Sequence, residues 1–291
     1  MLRTTIVILA TLLACGAIAS EGTVELTYRL QPSRDLITEN VLEGVTTIRV
    51  IDDRGVIAKS GGRLSLMPMT VTMKRSQSFR YITGDSSADG SFPAEMRFLE
   101  QTTTLKNSDG SEQILPERSS LKGASVLAVI ESSGVLRPNS VALKGMDAAL
   151  SEKVRPVMES VLAQAASMPS ILLTPDKEVL QDMQMQVPIP GIASFDIKMK
   201  ISNRLLRVDD GVARIQQVFT MDFGTGPAGA NATADGSGGG TIAFDTKSKV
   251  VVSSESITIM RMQVEAPDGT IEIRMNSKQL QSTRPAAAAA K

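Results

Sequence analysis

Lys122-Gly-Ala-Ser-Val-Leu-Ala-Val-Ile-Glu-Ser-Ser-Gly-Val-Leu-Arg-Pro-Asn-Ser-Val-Ala-Leu143 is the stretch whose reading decides the fold class. Val126, Ala128 and Ile130 alternate with smaller or outward residues, the period of a half-buried strand. Glu131-Ser-Ser-Gly134 turns the chain, and 135–143 returns, with Pro138 marking an irregular position. The same strand, turn and strand recur in Gly239-Gly-Thr-Ile-Ala-Phe-Asp-Thr-Lys-Ser-Lys-Val-Val-Val-Ser-Ser-Glu-Ser-Ile-Thr-Ile259. Between the two hairpins the period changes. Leu150, Val154, Val157, Val161 and Ala165 fall three and four apart, with Met158 and Leu162 beside them. That spacing predicts an amphipathic helix over 146–166, with Asp147 as N-cap and Pro156 kinking it or splitting it into two short helices.

Outward from this centre, long alternating runs predict strands. Val24, Leu26, Tyr28 and Leu30 share one parity; 41–51 is β-branched and closes at the turn Asp52-Asp53-Arg-Gly55. In 63–74 the apolar parity switches near Met67-Pro68, the signature of a bulge or edge kink. Further strands are expected at 78–83, 95–106, 197–205, 212–223, 250–264 and 271–280, with another parity switch at Ile259-Met260. Asn107-Ser-Asp-Gly110 reads as a hairpin turn. The stretch 171–182 reads as a linker, and the Gly-rich 225–238 as a mobile loop.

Strands this long must twist, and one wet and one dry face give antiparallel sheets. The expected fold is mainly β with one central helix, an α+β half-barrel of long curved antiparallel sheet around helix 146–166. A β-sandwich is the alternative. One domain is expected over 20–283, in two pseudo-repeated halves of about 20–145 and 171–283, with a low-complexity Ala tail at 284–291.

The N-terminus reads as an export signal. Arg3 precedes an apolar run too short to span a bilayer. Ala17-Ile-Ala19 before Ser20 is an A-x-A cleavage site, giving a signal peptide over 1–19. Leu12-Leu-Ala-Cys15 competes as a lipobox, which would remove 1–14 and lipidate Cys15, the one cysteine. Both routes put the protein in the periplasm or outside the cell, the second with a membrane anchor. Neither leaves a transmembrane span.

Composition excludes much chemistry. There are 291 residues and no His, so Ser-His-Asp and Cys-His arrangements are absent. There is no Trp, with two Tyr and seven Phe, which weighs against carbohydrate platforms and base-stacking surfaces. Lys+Arg and Asp+Glu are 31 each, so no basic excess points to nucleic acid. Fifteen Met are many. Met fills cores, and it also makes pliable apolar surfaces.

Three motif matches lack their context. Ser119-Ser-Leu-Lys122 fits Ser-x-x-Lys but precedes a strand and has no Lys-Thr-Gly partner. Gly224-Thr-Gly-Pro-Ala-Gly229 fits Gly-x-Gly-x-x-Gly with no helix after it to hold a pyrophosphate. Acidic and Asn-rich stretches at 85–89, 107–112 and 209–210 favour turns and lack the calcium-loop pattern. No cofactor or metal is expected.

The early Leu-Thr-Tyr-Arg-Leu strand (26–30), the hairpin before a helix (123–143), Leu173-Thr-Pro-Asp-Lys-Glu-Val179 and the Gly-x-Gly-x-Ile-x-Phe-Asp run (238–245) resemble a family of bacterial exported proteins whose domain has no assigned function. Where that family carries Gly-Asp-x-Trp, this chain has Leu180-Gln-Asp-Met183. The sheet-over-helix plan resembles the half-barrels of periplasmic lipoprotein carriers, a likeness of fold alone. The expectation is a non-enzymatic envelope protein that binds a lipid, another apolar ligand or an envelope partner on a concave face. The apolar lining would be Met67, Met69, Met73, Leu150, Val154, Met158, Val161, Met199, Met221, Met260 and Met262. A purely structural envelope protein is the alternative, and a carboxylate-dependent hydrolase ranks last.

Overall fold

The computed structural model describes residues 19–20, 22–26, 30–61, 64, 68–107, 109–114, 121–149, 151–152, 155–156, 158–159, 170–189, 193–223, 231–266 and 268–286. Fifteen strands and a four-residue helix are assigned there, besides the helical residues of a second segment. The short strands are β1 (Ala19–Ser20), β2 (Thr23–Leu26), β6 (Glu112–Ile114), β7 (Ser125–Ile130), β8 (Ala142–Lys144) and β9 (Ile171–Leu173). The long ones are β3 (Arg34–Asp53), β4 (Met69–Thr83), β5 (Phe92–Asn107), β10 (Glu178–Ile189), β11 (Ala193–Asp209), β12 (Val212–Phe223), β13 (Asn231–Asp245), β14 (Val250–Ala266) and β15 (Gly269–Pro285). Helix α1 (Val56–Lys59) follows β3.

One twelve-stranded antiparallel sheet holds the long strands in the order β10-β11-β12-β13-β14-β15-β3-β4-β5-β7-β8, with β6 on β5. It does not close into a barrel. The expected β-rich fold is thus present as an open sheet rather than a sandwich of two large ones. Its halves meet by direct pairing, because β15 runs antiparallel along β3 from Gly269 opposite Asp53 to Pro285 opposite Leu36. Of the expected helix 146–166, residues 148–149, 151–152, 155–156 and 158–159 are helical, and Ser151 N donates to Asp147 O at 2.9 Å. The rest of that helix lies outside the described residues.

Both hairpins exist. In the first, Glu131 N donates to Val135 O and Gly134 takes φ 82°. In the second, the Asp245 carboxylate accepts from the amides of Lys247 and Ser248. The bulge expected at Ile259-Met260 sits elsewhere, and Met67 of the other expected switch lies outside the described residues. Ile259 and Met260 stay in register on both sides; the shift in that hairpin falls between Ala243 and Phe244, where Val252 is the extra residue. The turn at Asn107 forms, with Asn107 N donating to Ser111 O.

Three segments depart from expectation. Most of 171–182 is no linker: β9 pairs β2, with Val24 opposite Leu173, and 178–182 begin β10. Residues 231–238 are no loop but the first half of β13; 224–230 lie outside the described residues. The glycines there keep the spacing. A Cβ on Gly240 would stand 1.9 Å from the Glu255 carbonyl, and one on Gly238 would stand 2.4 Å from Phe219 Cζ. Phe219 thus occupies the place a side chain at 238 would take. Of the tail, Arg284 and Pro285 continue β15, and Ala286 N donates to Asp35 O at 2.9 Å.

The small sheet β1-β2-β9 caps one end of the large one. Val24, Leu26 and Leu173, all 0% exposed, pack on Leu205, Ile215 and Phe244. A second core joins Phe79, Met96 and Phe98 to Val126, Ile130 and Met158. Phe79 and Phe98 meet edge to face at 5.2 Å.

Candidate functional site

Register and the two-residue side-chain period assign each strand residue to a face. The face that bears both cores has three zones. Nearest the cap are Leu205, Ile215, Ile242 and Phe244, with Phe79 and Phe98 farther along. Next comes a polar belt: Asn203, Gln217, Gly240, Ser256, Gln279, Leu42, Arg75 and Thr103 stand opposite one another in succession across β11 to β5. Its amides bond laterally. Gln217 Nε2 donates to Asn203 Oδ1 at 2.9 Å, and Asn203 Nδ2 donates to Gln181 Oε1 at 3.0 Å.

The third zone is apolar and rich in methionine. One row runs Met183, Met199, Met221, Gly236, Met260, Met275, Thr46 and Val71 across β10 to β4. Beside it run Ile197, Phe223, Ala234, Met262, Ile273, Ile48 and Met69. Met73 stands opposite Gly44 and Leu105 on the belt side. Met199, Met221, Met183 and Phe223 pack around Ile197. Most of these side chains are half-buried, while Met260 is buried.

Six of the expected lining residues, Met69, Met73, Met199, Met221, Met260 and Met262, therefore share this face. Met158 does not join them. It is 1% exposed inside the second core, among aromatic and aliphatic neighbours. Met67, Leu150, Val154 and Val161 lie outside the described residues, as does Cys15. Ala19 and Ser20 form β1, opposite Val24 and Thr23. Met183 and Met275 join the face without having been expected. Both follow from parity: Met183 matches Leu26-style alternation in β10, and Met275 follows Ile271 and Ile273 at every second residue.

The opposite face mixes charged side chains with exposed apolar ones, Val45, Val218, Ile257, Ile259 and Leu280. Lys278 Nζ meets Glu255 Oε1 at 2.6 Å, and Lys74 Nζ meets Glu43 Oε1 at 2.8 Å. Lys278 is directly opposite Glu43, so the four make a ladder of alternating charge. Those contacts hold Glu43 below the usual carboxylate range through Lys74, and raise Lys278 through Glu255. Glu272 is the buried carboxylate of this face, 1% exposed. Arg49, Arg261 and Arg274 reach it at 2.8, 2.7 and 2.9 Å. The Arg274 hydrogen bond, outweighing burial, holds Glu272 below its ordinary range, with the other arginines adding to it. A carboxylate so held is a poor proton acceptor.

The acidic stretches around Asp89 and Asp109 form turns, and the Gly-x-Gly-x-x-Gly match at 224–229 lies outside the described residues. Asp109 accepts from Ser111 N and Oγ at 2.8 and 2.6 Å, and Asp89 does the same for Ser91 at 3.0 and 2.7 Å. Lys122 stands 3.7 Å from Glu100 at the surface. Residues 119–120 lie outside the described residues. Among the described residues no three acidic or cysteine side chains gather as metal ligands would, and no helix is long and apolar enough to cross a membrane.

The sequence expectations missed the polar residues of the inner face: Arg75, Asn40, Gln77 and Gln101. Their signal is parity. From Met69 to Tyr81 every second residue points inward, and Arg75 and Gln77 keep that beat.

No family model matches the chain, and no curated protein matches it either. Among solved structures it is similar to one concerned with lipid–protein interactions in lipovitellin, at TM-score 0.43 and 11% identity, over 90% of this chain but 26% of that one. It is also similar to OccAB4 of Acinetobacter baumannii, at TM-score 0.22 and 7% identity, over 87% of this chain and 99% of the other. A third similarity is to OpdK of Pseudomonas aeruginosa with vanillate, at TM-score 0.21 and 7% identity, over 85% and 99%.

Proposed function

We propose that this protein is a non-enzymatic component of the bacterial envelope that holds an acyl chain against the methionine face of its open sheet. The observation that carries this reading is the zone from Met183 to Val71, half-buried and apolar across eight strands. Unbranched thioether side chains repack around flexible tails more readily than β-branched ones. Export through the signal at 1–19, or anchoring through Cys15, would deliver the protein to lipid.

The test uses the mature chain, stripped of lipid and mixed with vesicles of bacterial phospholipid. The protein is then re-isolated and extracted for mass spectrometry. Bound lipid near one per chain is expected, and Met199→Asp with Met221→Asp should abolish it. A wild-type protein that returns empty, and that ignores a fluorescent fatty acid, would sink the reading.

A second reading, a structural envelope protein, draws on the other end of the sheet. There Met158, one of the described helical residues, packs into one buried cluster with Phe79 and Phe98. That filled core would then be the purpose of the fold.

A further inference from the structure

Arg75 is a buried cation with no carboxylate partner among the described residues. It is 5% exposed. None of the ion pairs among the described residues includes it. Its Nη2 donates to Gln101 Oε1 at 3.1 Å, and Gln77 Nε2 donates to the same oxygen at 2.9 Å. With its amide turned over, Gln77 would instead accept from Arg75 Nε at 2.7 Å. In either arrangement the guanidinium meets neutral amides. Burial pulls its pKa down to about 10.

A second, independent observation lies next to it. Asn40 in β3 stands directly opposite Gln77. It is 5% exposed, and neither its Nδ2 nor its Oδ1 has a hydrogen-bond partner. A buried amide with both ends unsatisfied is rare in native proteins, and points to a group that completes it. A desolvated guanidinium without a counter-charge is costlier still. The planar donors of arginine fit a carboxylate or phosphate in a way no neutral acceptor reproduces.

Position gives the ligand its shape. Along β4, Gln77 and the amides of Asn40 and Gln101 lie on one side of Arg75. On the other side lie Met73, Val71 and Met69, the start of the methionine face. A charge at Arg75 therefore sits where polar surface gives way to apolar surface. We propose that Arg75, Asn40, Gln77 and Gln101 bind the anionic head, carboxylate or phosphate, of an amphiphile whose tail lies along Met73, Val71 and Met69. The tail rests on the function proposed above; the head stands on the unpaired arginine and asparagine.

The test titrates the delipidated mature chain with four probes: oleate, oleoyl lysophosphatidate, oleyl alcohol and inorganic phosphate. One or both anionic amphiphiles should bind at least about tenfold tighter than the alcohol, the gain from a charge-assisted bond. Arg75→Met should reduce them to the level of the alcohol and leave the alcohol unchanged. Gln101→Glu guards against a variant that fails to fold. It sets a carboxylate where Arg75 already donates, so it should raise the melting temperature and erase the preference for an anionic head. Equal binding of oleate, lysophosphatidate and alcohol by the wild type overturns the head-group site but leaves the apolar face standing. A preference that survives Arg75→Met or Gln101→Glu overturns it too. If inorganic phosphate binds as tightly as lysophosphatidate, the tail assignment falls and the site is one for a free anion. If no amphiphile binds, both readings fall together.

Discussion

Glu272 and Arg75 lie on opposite faces of one sheet, with β3 alone between their strands. Each is buried, at 1% and 5% exposure. Glu272 is surrounded by three arginines whose own side chains are about half exposed, so their hydration is largely kept. Arg261 and Arg274 stand directly opposite each other, a repulsive pair that the carboxylate between them relieves. Arg75 has amides where Glu272 has ions. One charge completes its surroundings, and the other leaves them incomplete. The first belongs to stability, and the second to something the protein receives.

Truncation should separate them most. Glu272→Ala leaves three arginines without their anion and should cost about 2–3 kcal/mol in urea denaturation. Arg75→Met trades an unpaired buried cation for an apolar chain of similar reach. It should change stability by less than about 1 kcal/mol, toward greater stability. A loss from Arg75→Met as large as that from Glu272→Ala would break the contrast. Asn40→Leu should stabilise by about 1 kcal/mol, since it removes two buried groups that lack partners. A destabilised Asn40→Leu would mean that Asn40 is satisfied after all.

Acid and base should then act in opposite ways. The folded pKa of Glu272 is lowered from 4.5, so its contribution is whole above that value and fades as pH falls through the folded one. The gap between wild type and Glu272→Gln should close over that acid range. Arg75 is a base, and its folded pKa is lowered to about 10. Below that pH the fold carries a buried charge, and the cost is relieved as pH rises beyond it. The advantage of Arg75→Met should thus persist at neutral pH and shrink above about 10. The smallest effect belongs to the exposed ladder. Lys74→Ala should leave the urea midpoint unchanged within error at physiological salt, because exposed pairs are screened.

Much of this fold is written plainly in the chain. Ala213, Ile215, Phe219, Met221 and Phe223 keep strict alternation, and β12 forms where they predict. Turns at Asn107 and Asp245 follow from Asx chemistry. What stayed hidden has physical reasons. β3 begins at Arg34, seven residues before the expected start, because Thr38 and Asn40 occupy inward positions usually held by apolar residues. β13 hid behind glycines, which lack the side chains that alternation is read from. β9 is three residues long and owes its burial to β2, 145 residues away at Ile171 and Leu26. The methionine half of the candidate site was legible in composition and parity. The head-group half was not, because Asn40, Arg75 and Gln101 meet across three strands.

The pairing of β3 with β15 also dictates the order of assembly. A ribosome releases β3 first among the long strands, β4 on one of its edges next, and β15 on the other edge last. Thr38 and Thr283, whose hydroxyls meet at 3.1 Å, are 245 residues apart. Until synthesis reaches that point, the edge of β3 that faces away from β4 stays open to any other nascent strand. Such long-range closure is slow and exposes the growing chain to aggregation. The middle of the finished sheet is therefore the seam that closes last, and a holding chaperone would act on β3 before any ligand could.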